Sequence, residues 1–212
     1  MSIKGAVFDM DGLMFDTENL TYKLQREILE KDGRVFTVED YKNTIGKRTA
    51  DLPVFFNKLY GDKFDYDKFR QSCRVSFTDY TDKHGVPVKD GLFELLDECK
   101  AKGIRIALST STTRKSAERT LKTAEVYDYF DELVCAEDVE KGKPNPEPFL
   151  KAAEKLGLKP SECMALEDSF NGIKSAYFAG MKTVMIPDMI EPTDEIRGMC
   201  DCVLSSLGEV KI

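Results

Sequence analysis

The segment Ala6-Val7-Phe8-Asp9-Met10-Asp11-Gly12 constrains this chain more than any other. An apolar run, read as a strand over 3–9, carries two carboxylates out of the interior, and a glycine follows. Asp9 and Asp11 are two residues apart, so on a continuing strand their side chains share one face. Charge at the end of a buried strand is costly unless something pairs with it. Gly12 permits a backbone turn that most residues resist. The plain alternative is a capped strand end or a tight turn. A buried strand ending in Asp-x-Asp-Gly more often binds a cation or does chemistry, and the rest of the chain has to decide.

Beyond Gly12 the chain reads as helical from 17 to 82. Asp16 and Thr17 are N-cap candidates. Leu20, Leu24 and Ile28 then recur at helical spacing over 17–31. Thr37 and Asp40 form a capping-box pattern. Thr49 is a cap candidate for a helix over 50–60. Phe69, Cys73 and Phe77 mark another over 65–82. The texture changes at His84-Gly85-Val86-Pro87-Val88, a breaker-rich connection in which His84 reads as structural. After it, short apolar strands at 104–108, 132–135, 163–166, 183–186 and 202–204 alternate with helices. That alternation predicts βαβ units. The expected fold is α/β, a doubly wound parallel sheet (a Rossmann-like core) over 1–14 and 86–212, with an inserted α-helical cap domain at 15–85.

Composition narrows the function classes. At 212 residues the chain is long enough for a large core. Its net charge of -7, from 31 basic and 38 acidic residues, argues against nucleic acid as a partner. It contains no apolar run of membrane-spanning length and no signal-like leader, so no membrane partner is expected. Several cysteines sit inside apolar patterns and read as buried hydrophobes of a reducing, cytoplasmic setting, and a monomer is expected. The six cysteines include no Cys-x-x-Cys and there is one histidine, so a zinc cluster is not expected.

In doubly wound sheets, ligands bind beyond the carboxyl ends of the strands. Four such ends are polar here. The first strand ends in Asp9 and Asp11. The second ends in Ser109, Thr110 and Ser111. The loop after the third carries Lys141 and Lys143. The fourth ends in Glu167 and Asp168. Each has a simpler reading: Thr112 or Thr113 caps a helix, Lys141 is a solvated loop lysine, and Glu167 neighbours a helix start. Acids, hydroxyls and a cation on one rim nonetheless suit phosphoryl transfer. The concentrated carboxylates call for a hard divalent ion such as Mg²⁺. A lysine and a hydroxyl suit the phosphoryl oxygens.

These residues resemble the haloacid dehalogenase superfamily, in the branch with a small helical cap that includes beta-phosphoglucomutase and many sugar-phosphate phosphatases. The resemblance rests on Phe8-Asp9-Met10-Asp11-Gly12-Leu13-Met14-Phe15-Asp16-Thr17-Glu18, Leu108-Ser109-Thr110-Ser111, Lys143-Pro144-Asn145-Pro146, and Leu166-Glu167-Asp168-Ser169 with Gly172 and Ala179-Gly180-Met181. It implies Asp9 as a nucleophile that becomes an aspartyl phosphate, and Asp11 as general acid and then base. It implies that Thr110 and Lys143 hold the phosphoryl group, with Gly12 and Ser111 at the substrate. Mg²⁺ would be bound by Asp9, Asp168 and Asp11, with Glu167 assisting. Gly12 and the residues after it would act as the hinge of the cap.

Where beta-phosphoglucomutase has an early cap histidine, this chain has Thr21. The mutase's phosphate-binding arginine falls at Thr49, beside Lys47 and Arg48. Hydrolysis of a small phosphorylated metabolite, a sugar phosphate, is therefore favoured over phosphohexomutase activity. Lys47 and Arg48 are anion-contact candidates. The non-enzyme alternative is a receiver-like phosphoacceptor domain, in which Asp138 is the acceptor candidate. An EF-hand fits poorly, because Gly12 is at position four from Asp9 rather than six.

Overall fold

A computed structural model describes residues 2–47 and 49–212. The chain forms two compact units, one of residues 1–16 with 86–212, the other of residues 17–85.

The first unit is built on a six-stranded parallel sheet. Its strands are β1 (Gly5–Phe8), β2 (Arg105–Ser109), β3 (Glu132–Val134), β4 (Cys163–Glu167), β5 (Lys182–Met185) and β6 (Cys202–Val203). They lie in the order β3-β2-β1-β4-β5-β6. This is the doubly wound order whose direction reverses beside β1. It differs from the 2-1-3-4-5 order of receiver-type folds.

Alternation along the strands divides the core. Ala6, Phe8, Ile106, Leu108, Met164 and Leu166 face one layer, with Leu92, Leu96, Ala117 and Leu121. Val7, Ala107, Cys163 and Ala165 face the other, with Phe149, Ala152, Ala153 and Ala176. The covering helices are α5 (Leu92–Ala101), α6 (Arg114–Thr123), α7 (Glu147–Lys155) and α8 (Phe170–Ala179). Both faces of β1 are fully buried, which is why its sequence is an unbroken apolar run. Full burial of a side chain such as Phe8 contributes about 1.5–3 kcal/mol.

The second unit holds α1 (Thr17–Lys31), α2 (Val38–Lys42), α3 (Leu52–Tyr60) and α4 (Tyr66–His84). Its centre is Phe56, whose ring lies 5.0–6.3 Å from those of Phe36, Phe55, Tyr60, Phe64, Tyr66 and Phe69. The Thr37–Asp40 capping box forms in both directions. Two other expected caps do not. The Thr17 hydroxyl is buried without a hydrogen-bond partner. Thr49 opens a short 3-10 turn, and α3 starts after Asp51 with no side-chain cap. Among the described residues no helix is long and apolar enough to cross a membrane.

Candidate active site

Register explains the site. Phe8 pairs with Leu108 on one side and Leu166 on the other. The next residue of each strand is therefore Asp9, Ser109 or Glu167, three neighbours in one row at the carboxyl edge of the sheet. Lys143 closes this row. Its ammonium donates to Asp9 Oδ1 at 2.5 Å, Glu167 Oε1 at 2.6 Å and the Ser109 carbonyl at 2.9 Å. Those bonds use all three of its donors. The ammonium also lies 4.9 Å from the centre of the Phe149 ring.

The loop that delivers Lys143 is pinned at both ends. Glu147 accepts from the main-chain N–H groups of Glu140 and Lys141. The buried Ser175 hydroxyl donates to the Asn145 carbonyl. Lys141 itself is exposed.

The turn after β1 corrects one expectation. Asp9 and Asp11 do not lie on a continuing strand, because β1 ends at Phe8. The chain curls instead. Met14 and Phe15 N–H groups donate to the Met10 carbonyl, and Gly12 N–H donates to the Phe15 carbonyl. Gly12 has φ +88°, and a β-carbon there would lie 2.3 Å from Asp168 Oδ2. Asp168, at the end of β4, thus occupies the space that a side chain at position 12 would take. Asp11 is held by Thr112, whose hydroxyl donates to Asp11 Oδ2 at 2.9 Å.

The loop after β2 divides its hydroxyls among different tasks. Thr110 is buried, donates its N–H to the Val134 carbonyl and accepts from Thr112 N–H at its hydroxyl oxygen. Its own O–H remains a possible donor. The Ser109 hydroxyl is buried with no partner, and Ser111 is exposed. Thr113 has the backbone of an N-cap for α6 but makes no side-chain cap bond.

Glu167 is nearly fully buried and doubly engaged. Its Oε1 takes Lys143, while Oε2 accepts from Asp168 N–H, Ser169 N–H and the Ser169 hydroxyl. Both oxygens of this buried side chain thus have partners. Burial raises the Asp9 carboxyl to about 7, with Lys143 opposing and Glu167 and Asp11 adding to the rise. Asp168 is also pushed well up, by burial and then by Glu167, Asp9 and Asp188. Burial works against the Lys143 ammonium, but Asp9 and Glu167 outweigh it and its pKa is raised.

Asp188 and Lys89 were not foreseen in the sequence. Asp188 follows β5, and its Oδ1 accepts from Lys89 at 2.5 Å; Lys89 also contacts Asp16 at 3.2 Å. Asp16 therefore pairs with a lysine in addition to standing before α1.

The acid-rich, oxygen-only donor set fits a hard divalent cation. Burial first, and neighbouring carboxylates after it, raise both Asp9 and Asp168, and Lys143 only partly offsets the rise. Among the described residues no three His, Cys, Asp or Glu side chains form a ready-made cage. An ion that keeps waters and takes phosphate and main-chain oxygens needs no such cage.

The other candidates lie elsewhere. Asp138 is engaged by Arg114 at 2.5 Å and by the Cys135 N–H at 2.8 Å, so its carboxylate ties α6 to the loop after β3. In the second unit Lys47 is exposed, with its ammonium 5.9 Å from the centre of the Phe55 ring. Arg48 lies outside the described residues.

Comparison with known proteins adds an independent line. The profile of a family described as haloacid dehalogenase-like hydrolase matches residues 6–186. A "phosphorylated carbohydrates phosphatase" of Thermotoga maritima is 30% identical over 186 residues, covering 86% of this chain and 84% of that protein. Hexitol phosphatase B of Escherichia coli is 30% identical over 213 residues, covering 98% and 94%. The crystal structure of beta-phosphoglucomutase from Clostridium difficile superposes with a TM-score of 0.73 at 25% identity, covering 99% and 93%.

Proposed function

This chain belongs to the haloacid dehalogenase-like hydrolases and is a phosphoric monoester hydrolase, and from that premise we propose that it hydrolyses a small phosphorylated carbohydrate through an aspartyl phosphate on Asp9. The observation that carries the reading is the row of Asp9, Ser109 and Glu167 closed by Lys143, with Asp11 held beside it by Thr112.

In the first half-reaction an Asp9 carboxylate oxygen attacks phosphorus, and the bond from phosphorus to the sugar oxygen breaks. Asp11 gives that oxygen its proton. In the second, Asp11 takes a proton from water as the water oxygen attacks the same phosphorus. Phosphate leaves and the Asp9 carboxylate is restored. Lys143 exchanges one of its three bonds for a phosphoryl oxygen, and the Thr110 O–H donates to another. Ser111 and the Gly12 turn complete the substrate side. Asp9, Asp168 and the Asp11 main chain would hold Mg²⁺, with Glu167 behind them. When bound, that ion supplies positive charge that lets a phosphate dianion approach a carboxylate.

The substrate class follows the carbohydrate phosphatases named above as relatives. The test is phosphate release across sugar phosphates and nucleotides, with and without EDTA. Sugar phosphates are expected to be preferred, with activity lost in EDTA and reduced at least about 10³-fold in Asp9→Asn. Full activity in Asp9→Asn overturns the mechanism. Conversion of a hexose 1-phosphate that depends on a sugar bisphosphate, without phosphate release, would assign the chain to the mutases instead.

A further inference from the structure

Asp188 has one oxygen explained and one unexplained. Oδ1 accepts from Lys89 at 2.5 Å. Oδ2 is buried and has no hydrogen-bond partner, although the side chain is only 5% exposed. A buried carboxylate oxygen calls for a donor.

The neighbouring groups are other carboxylates and lysines already engaged. Ile186, just after β5, donates its N–H to the Glu167 carbonyl, so the following loop runs beside the end of β4. Asp188 Oδ2 lies 3.4 Å from the point where a β-carbon of Gly12 would sit, and Asp168 Oδ2 lies 2.3 Å from the same point. Both carboxylate oxygens thus border the space beside Gly12. Lys143 is committed to Asp9, Glu167 and the Ser109 carbonyl. Lys89 is on the other oxygen of Asp188.

Lys89 is itself held in place. Its N–H donates to the Met14 carbonyl, Asp16 N–H donates to the Pro87 carbonyl, and Phe15 bridges to Val88. This pairing sets the ammonium between Asp16 and Asp188. If Asp188 served only to anchor this connection, Oδ1 would suffice.

We propose that Asp188, braced by Lys89, is a positioning residue for the divalent cation: beside Asp168, its Oδ2 accepts from water carried by the ion. The inference rests on the Mg²⁺-dependent reading above. Residues behind the direct ligands of a metal typically govern its affinity 10–100-fold.

The experiment is calorimetric titration of the metal-free protein with Mg²⁺ and with Mn²⁺, for wild type, Asp188→Asn and Asp188→Ser. Lys89 keeps Asp16 as a partner in both variants. The expected result is an affinity for either ion roughly 10-fold weaker, with far-UV circular dichroism and the metal-free melting temperature retained. The Mg²⁺ concentration for half-maximal phosphate release should rise in parallel, and saturating Mg²⁺ should restore the rate. Asp188→Ser, smaller and uncharged, carries the test should Asp188→Asn not fold. Unchanged affinity in a folded variant overturns the role of Asp188 and leaves the phosphatase reading standing. A wild-type protein that binds neither ion overturns the Mg²⁺ reading and this inference together.

Discussion

A β-carbon on Gly172 would lie 1.7 Å from Glu167 Oε1, the same oxygen that receives the Lys143 ammonium at 2.6 Å. Gly172 sits in the first turn of α8, where alanine would ordinarily stabilise a helix by about 1 kcal/mol. Here the opposite is expected. Gly172→Ala must displace either a buried, fully bonded carboxylate or the helix, at about 1–3 kcal/mol. Denaturant unfolding together with phosphate release checks this. A variant as stable and as active as wild type would show that Glu167 is free to move aside.

Thr112 offers a finer probe. Its hydroxyl donates to Asp11 Oδ2 at 2.9 Å, while its N–H donates to the Thr110 hydroxyl. Thr112→Val removes the first bond and keeps the second. The expected effect is a kcat lowered roughly 10-fold, below the full contribution of a general acid or base, with KM little changed. Thr112→Ser should restore the rate. Loss confined to KM would place Thr112 in substrate binding instead.

The Asp9 carboxyl, raised by burial to about 7 from 3.8, ties stability to pH. Between those values the folded metal-free protein keeps a proton that the unfolded chain has released. Stability from this group therefore falls as pH rises from about 4 to 7. Other carboxylates pull the opposite way, notably Glu162 and Glu209, whose pKa values are lowered in the fold. The informative quantity is therefore the difference in melting temperature between Asp9→Asn and wild type without metal. It should grow from pH 4 to pH 7. A difference flat across that range would show that Asp9 is not buried as a neutral acid.

The sheet and most of its rim were legible in the sequence because burial on both faces leaves an unmistakable apolar run. Asp9 and Glu167 were readable for the same reason, since each ends such a run with charge, whereas Lys143 lies in a polar loop and was singled out by the Lys143-Pro144-Asn145-Pro146 resemblance. Thr112 was not, because a threonine before a helix carries the same signal whether it caps or holds an acid. Asp188 and Lys89 were hidden more deeply. Each lies in a Pro-containing loop, Pro87-Val88-Lys89 or Pro187-Asp188, and only the folded path of those loops brings the two together. Thr17 shows the converse failure, a residue of good capping type whose hydroxyl finds no partner.

The placement of β1 has a consequence for how the chain is made. Its two neighbours in the sheet begin at Arg105 and Cys163, with the whole unit 17–85 synthesised in between. At 5–20 residues per second, β1 waits roughly 10–30 s for its second partner. Until β2 emerges, Ala6, Val7 and Phe8, all fully buried in the end, have no strand to pair with, and until β4 emerges they are paired on one side only. Long-range parallel pairing of this kind is slow to form and exposed to aggregation. The strand that delivers the proposed nucleophile is thus the one that most needs shelter on the ribosome, and the early helices 17–85, which close on themselves, let synthesis proceed while it waits.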